Sequence, residues 1–186
     1  IKKVLIFYAS YGGGHLSAAK SILKYVTEHY TGVEAEMVDC MKYINKPIEK
    51  VTTGAYREMA KKTPKLWGKV YSGSEKGLLS KISKDSNKLM ARKLNRLLQE
   101  KKPDLVISTH PFSSQMVSYL KRKGKLNCTL ATIMTDFAMH KQWLIGHEYT
   151  EYFFISNEDM KQDIARVGGL FYQYRPCRRD VATIYD

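Results

Sequence analysis

With 186 residues the chain is long enough for one domain with a sizeable core and too short for two complete α/β domains. Its 44% hydrophobic and 26% charged composition is that of a packed globular fold and excludes wholesale disorder. The formal charge of +13 is concentrated: from Lys42 to Lys102 seventeen Lys or Arg stand against five acids, leaving +12 in one third of the sequence. Such a block attracts an anionic membrane surface or a nucleic acid, unless it is a solvated helical face.

In chain order, Val4-Leu5-Ile6-Phe7-Tyr8 is a continuous apolar run that predicts a buried parallel strand, ending in a loop at Ala9 to Gly14. Ser17 to Val26 follows with Ala18, Ile22, Tyr25 and Val26 at helical spacing, and Ala35 to Val38 reads as a second strand, so that the first forty residues form a βαβ unit. The middle changes character. Pro47 to Lys62 and Leu78 to Lys101 read as helices, and the stretch between them interleaves Leu66, Trp67, Val70 and Tyr71 with Lys65, Lys69 and Lys76. That mixture suits a membrane interface, where rings sit at headgroup depth and lysines meet phosphates; the alternative is that Trp67 and Tyr71 pack on the domain. Alternation then resumes with strands at Leu105 to Ser108, Leu130 to Met134 and Tyr152 to Ile155, and with helices at about Ser113 to Lys121 and from Ser156 or Asn157 to about Val167. The expected architecture is a doubly wound parallel sheet, whose sites gather at the carboxyl ends of its strands.

The residues with chemical potential fall at those ends. Gly12-Gly13-Gly14 lets the backbone approach a ligand, and the following helix offers N–H groups and a positive dipole end. No third glycine completes GxGxxG, so a nicotinamide reading with Asp39 as ribose partner is a minor alternative; the absence of Gly-Lys-Ser/Thr excludes a P-loop. His15 titrates near neutrality and is a candidate proton acceptor, although loop histidines more often serve as surface hydrogen-bonding groups. Ser108-Thr109-His110-Pro111-Phe112 and Thr135-Asp136-Phe137-Ala138-Met139-His140-Lys141-Gln142-Trp143 end the third and fourth strands. Asp136 is placed to orient an imidazole or bind a hydroxyl, and Trp143 to offer an apolar platform. A metal held by His15, His110, Asp136 and His140 lacks any HxxxH or HExxH spacing and ranks below the metal-free reading. Cys40, Cys128 and Cys177, odd in number and without a CxxC pair, suggest neither disulfides nor zinc. With no apolar run near the roughly 18 residues of a bilayer span and none suited to a signal peptide, a reduced, cytoplasmic protein is expected.

These segments in combination resemble the bacterial processive diacylglycerol glucosyltransferases and plant monogalactosyldiacylglycerol synthases. The likeness rests on Tyr11-Gly12-Gly13-Gly14-His15 with Ala18-Ala19, the basic region around Trp67, Ser108-Thr109-His110-Pro111, and Thr135-Asp136-Phe137 with His140 and Trp143, and covers about residues 2–170. A more distant similarity is to the bacterial N-acetylglucosaminyltransferase of lipid-linked peptidoglycan precursor synthesis.

The resemblance implies a Rossmann-like α/β domain with helices on both faces, the N-terminal half of a GT-B fold, with a basic helical insertion over about 42–102 and a divergent tail over 171–186. It implies hexose transfer from a UDP-sugar to diacylglycerol without metal or other cofactor, on the inner face of the cell membrane. His15 would be the general base and Asp136 its catalytic companion. Gly12, Gly13, Gly14, His110, His140 and Trp143 would bind substrate, and Lys61, Lys62, Lys65, Trp67 and Lys69 the anionic membrane. The donor-binding second domain is expected to be missing, so that transfer requires a C-terminal half in trans; the alternative is a non-catalytic lipid- or membrane-binding module. Nucleic-acid binding ranks third, because the basic stretch carries few aromatics and no recognised motif.

Overall fold

The computed structural model describes residues 1–10, 13–44, 91–136, 141–155 and 160. Five strands, β1 (Lys3–Tyr8), β2 (Glu34–Asp39), β3 (Leu105–Ser108), β4 (Thr129–Ile133) and β5 (Tyr152–Phe154), form one parallel sheet in the order β2-β1-β3-β4-β5. Helix α1 (Gly13–His29) follows β1 and the short α2 (Cys40–Ile44) follows β2. A helical segment over 91–101, here α3, precedes β3, and α4 (Pro111–Arg122) joins β3 to β4. Two 3-10 turns, Lys141–Leu144 and His147–Tyr149, lead into β5.

The apolar run of β1 has helices on both sides of it, which is why it shows no polar alternation. Leu5 and Phe7 join Val106 and Leu130 in a core completed by Leu94, Leu97 and Leu98 of α3 and Met116, Val117 and Leu120 of α4. Val4 and Ile6 point the other way, with Ile107 and Ala131, against Ala19, Ile22 and Leu23 of α1. Successive side chains of a strand alternate between faces, so one segment serves both cores.

The sheet determines where a site can form. β2 pairs on one side of β1 (Val4 opposite Ala35) and β3 on the other (Val4 opposite Leu105), so the chain reverses its direction of travel across the sheet between them. At such a switch point the loops leaving the two strands part and open a crevice beyond their carboxyl ends.

Two local features differ from the sequence expectation. Gly13 and Gly14 lie in the first turn of α1, four residues ahead of the expected start, because first-turn N–H groups need no intrahelical acceptor and glycine can join at modest cost. Helix α2 was not anticipated. Asp39 starts it by accepting hydrogen bonds from Met41 N (3.1 Å) and Lys42 N (3.1 Å), while its other oxygen accepts from Ser10 Oγ and faces Lys42 Nζ at 3.7 Å. The carboxylate considered as a ribose partner is therefore occupied within the fold, as a helix cap that also ties down the loop after β1.

Ile44 and the first turns of α3 meet: Ile44, Ala91 and Leu94 share one core, and Lys93 Nζ donates to the Ile44 carbonyl at 3.1 Å. The expected helix Pro47 to Lys62, most of Leu78 to Lys101, the interfacial stretch between them, the helix to Val167 and the tail lie outside the described residues, apart from α3 and the single residue Met160.

Candidate active site

Three strand ends supply the site. β1 delivers His15 through the first turn of α1, β3 delivers Thr109 and His110, and β4 delivers Thr135 and Asp136. His15 Nδ1 lies 2.7 Å from the Thr109 carbonyl oxygen and 2.6 Å from Thr135 Oγ1. A carbonyl oxygen only accepts, so Nδ1 carries the proton and the lone pair of the neutral ring is on Nε2. Thr109 is wholly buried and doubly fixed. Its N–H donates to the Phe7 carbonyl at 2.9 Å, and its hydroxyl donates to the His15 carbonyl at 2.9 Å, clamping the start of α1 against the end of β3.

His110 meets the His15 ring edge-on, with centroids 4.7 Å apart and planes at 76°. It is the N-cap of α4: its extended backbone (φ −139°, ψ 135°) precedes Pro111, and its Nδ1 accepts from Phe112 N at 3.2 Å. Nδ1 being an acceptor, the neutral His110 ring has its proton on Nε2. Below it, the Ser108 and Ser113 hydroxyls each donate to the His110 carbonyl at 2.9 Å, and Ser114 Oγ lies 3.0 Å from Thr132 Oγ1, so buried hydroxyls satisfy the polar groups at this junction.

Burial disfavours the charged form of both imidazoles. Burial draws the His15 pKa below its ordinary value, opposed by the negative charge of Asp136 and by the hydrogen bond to Thr109. Burial draws His110 well below, and the neighbouring His15 adds to the effect.

Asp136 Oδ2 accepts from Trp143 Nε1 at 2.6 Å. Trp143, expected as an apolar platform in the cleft, is instead 1% exposed and packs with Met134, Ile155 and Met160. The first 3-10 turn tucks the indole beneath the site, 6.3 Å from the His15 centroid, where burial of its large surface outweighs exposure to a ligand. Gly13 and Gly14 are exposed; a Cβ on Gly13 would meet nothing within 4 Å, and one on Gly14 only the Thr135 carbonyl at 4.0 Å. Neither is required by packing or by positive φ, so the space over the first turn of α1 is open. Gly12, His140, Lys61, Lys62, Lys65, Trp67 and Lys69 lie outside the described residues.

Among the described residues no group of three or more His, Cys, Asp or Glu could hold a metal ion, and no helix is long and apolar enough to cross a membrane. Cys40 and Cys128 are free and buried, with thiol pKa values pushed up by burial to about 12 and about 11. The site residues that the sequence reading passed over are Thr109 and Thr135. Both stood in quoted motifs, and the available signal was their position, hydroxyl residues one position beyond β3 and two beyond β4.

The family model described as monogalactosyldiacylglycerol (MGDG) synthase matches residues 15–170. Among curated proteins, the chain is 30% identical over 167 residues to the processive diacylglycerol beta-glucosyltransferase of Bacillus cytotoxicus, covering 89% of this chain and 42% of that protein. The Staphylococcus aureus protein of the same name is 31% identical over 183 residues and the Staphylococcus carnosus one 27% over 177; each match covers 90% of this chain and 41% of the relative. The chain thus spans about two fifths of the length of these relatives. With a Rossmann-like parallel sheet covered on both faces and a match over most of its length, the chain belongs to the MGDG synthase family, whose domain is the N-terminal half of a GT-B fold.

Proposed function

We propose that this chain is the acceptor-binding half of an enzyme that transfers a hexose from a UDP-sugar to diacylglycerol at an anionic membrane surface. The observation that carries the reading is the 2.7 Å contact of His15 Nδ1 with the Thr109 carbonyl: the carbonyl can only accept, so Nδ1 donates and the lone pair of the neutral ring is on Nε2, beside an open, glycine-flanked helix start. In the transfer, Nε2 takes the proton of the glycerol hydroxyl. The hydroxyl oxygen bonds to the anomeric carbon as the bond from that carbon to the diphosphate breaks, and UDP departs with the bonding pair. Asp136 opposes the burial of His15 and so stabilises the imidazolium formed when the proton arrives. His110 stays neutral beside it and adds no competing charge at neutral pH. The N–H groups at the start of α1, left uncrowded by Gly13 and Gly14, suit the approach of a phosphate-bearing donor.

The test is transfer from UDP-glucose to diacylglycerol in vesicles, by the chain complemented with the carboxyl-terminal remainder of the Staphylococcus aureus relative. His15→Gln is expected to lower kcat by about 10²- to 10⁴-fold, the usual contribution of a positioned general base, with vesicle binding retained. Undiminished transfer by the variant removes His15 from the role of base. Vesicle binding without turnover in any combination supports the non-catalytic lipid-binding reading instead.

A further inference from the structure

The nitrogen of His15 opposite the proposed base atom has two oxygen neighbours from two different strand ends, the Thr109 carbonyl at 2.7 Å and Thr135 Oγ1 at 2.6 Å. We propose that Thr135 is a positioning residue: with the Thr109 carbonyl it forms a pair of acceptors for Nδ1–H that fixes the plane and tautomer of His15 and strengthens when Nε2 is protonated. The proposal rests on the reading of His15 as the base.

The carbonyl decides which nitrogen carries the hydrogen, because it cannot donate. Once Nδ1 is the donor, the hydroxyl oxygen of Thr135 shares the same hydrogen as a second acceptor and turns its own proton elsewhere. A single acceptor leaves the ring free to pivot about one line. Two acceptors, from the ends of β3 and β4, define the plane in which the imidazole lies. Neither acceptor is loose: the Thr109 backbone is held by its N–H bond to Phe7, and the β-branched side chain of Thr135 has few rotamers at χ1.

The arrangement also has a charge-dependent part. A hydrogen bond from an ionised donor is shorter and about twice as strong as a neutral one, so proton uptake at Nε2 tightens both contacts. Loss of the Thr135 hydroxyl therefore selectively weakens the protonated form of His15. Among the described residues the ionisable groups facing His15 are Asp136, in the loop after β4, and His110, at the cap of α4; both remain in a Thr135 variant. A hydroxyl serving only to fill space would leave the titration of His15 unmoved, and this separates the two roles.

The experiment uses the chain itself with ¹⁵N-labelled histidine, following the His15 ring nitrogens by long-range ¹H–¹⁵N correlation across the pH range. The expected result is a protonated Nδ1 and bare Nε2 at neutral pH. In Thr135→Val, nearly isosteric, the His15 titration is expected to move to lower pH by about half a unit or more, the scale of one lost hydrogen bond to a charged group, and Thr135→Ser is expected to restore it. A proton found on Nε2 in the unmodified chain overturns the proposal however the variants fold. So does an unchanged His15 titration in folded Thr135→Val. In the complemented transferase, Thr135→Val is expected to reduce kcat about tenfold with KM little changed, as befits an interaction strengthened in the transition state. If the tautomer and the titration shift are found while His15→Gln transfers normally, the positioning of the ring stands and the general-base reading falls.

Discussion

At the scale of single residues, the balance on His15 sets how the protein responds to pH. Burial depresses the pKa of His15 and of His110 in the folded chain, whereas in the unfolded chain both titrate near 6.5. Below that value the unfolded state binds more protons than the folded one, so stability falls as the pH drops through 6.5 towards the depressed values, and is complete above 6.5. Denaturant midpoints at about pH 7.5 and about pH 5.5 are expected to show this loss, and His15→Gln with His110→Asn to reduce it; asparagine retains the capping oxygen that α4 needs. The same depression places the acid limb of transfer, where the base becomes protonated, below pH 6.5 rather than above it. His15 and Asp136 were legible as candidates because a histidine after a glycine run and an acid after a strand are conspicuous residue types. The two threonines that hold the ring were not. One contributes a backbone carbonyl, which sequence does not display, and the contact spans 94 positions of chain.

At the scale of elements, the strands were legible to within about a residue, since hydrophobic runs such as Leu105 to Ser108 are dictated by two-sided burial. Helix starts were less so. Gly13 and Gly14 read as loop because glycine disfavours helix interiors, yet a first turn is where that preference matters least. Trp143 read as an apolar platform in the cleft because residue type alone carries no information on which way a 3-10 turn will roll. The segment packs tightly: Gly146, which caps the second 3-10 turn, has φ 81°, and a Cβ there would come within 2.7 Å of Ser118 Cβ on α4. Gly146→Ala combines left-handed strain with crowding against the Ser118 side chain and is expected to cost about 2–4 kcal/mol, read from the shift in urea midpoint. Because Trp143 and its bond to Asp136 sit on the same segment, the His15 ring resonances are expected to move as well.

For the whole molecule, the proposed chemistry gathers at one end of one sheet. The carboxyl ends of β1, β3 and β4 hold the proposed chemistry, while the basic stretch proposed to grip the membrane enters the sequence between β2 and β3. Replacing Lys61, Lys62, Lys65 and Lys69 with Gln is expected to weaken partitioning to anionic vesicles by about 1 kcal/mol per charge, with the loss diminishing as salt is raised. Unchanged sedimentation with vesicles would identify the lysines as a solvated face. The charge block was legible from the sequence because net charge is a sum over residues; its placement is not, because no periodicity fixes where a long connection comes to rest.

The contact between Lys93 and the Ile44 carbonyl has a consequence for the evolution of the fold. Two points 49 positions apart in the chain are held together there, so the ends flanking the intervening sequence are pinned side by side. Loop-closure entropy grows only slowly with length, so ends pinned in this way tolerate wide variation in the length of sequence between them. A chain with residues 46–89 exchanged for a short Gly/Ser bridge is expected to keep its cooperative melt and the Nδ1–H tautomer of His15, while losing affinity for anionic vesicles. If the melt and the tautomer persist, the surface that finds the lipid and the pocket that holds the base are separately inheritable parts, free to change at different rates.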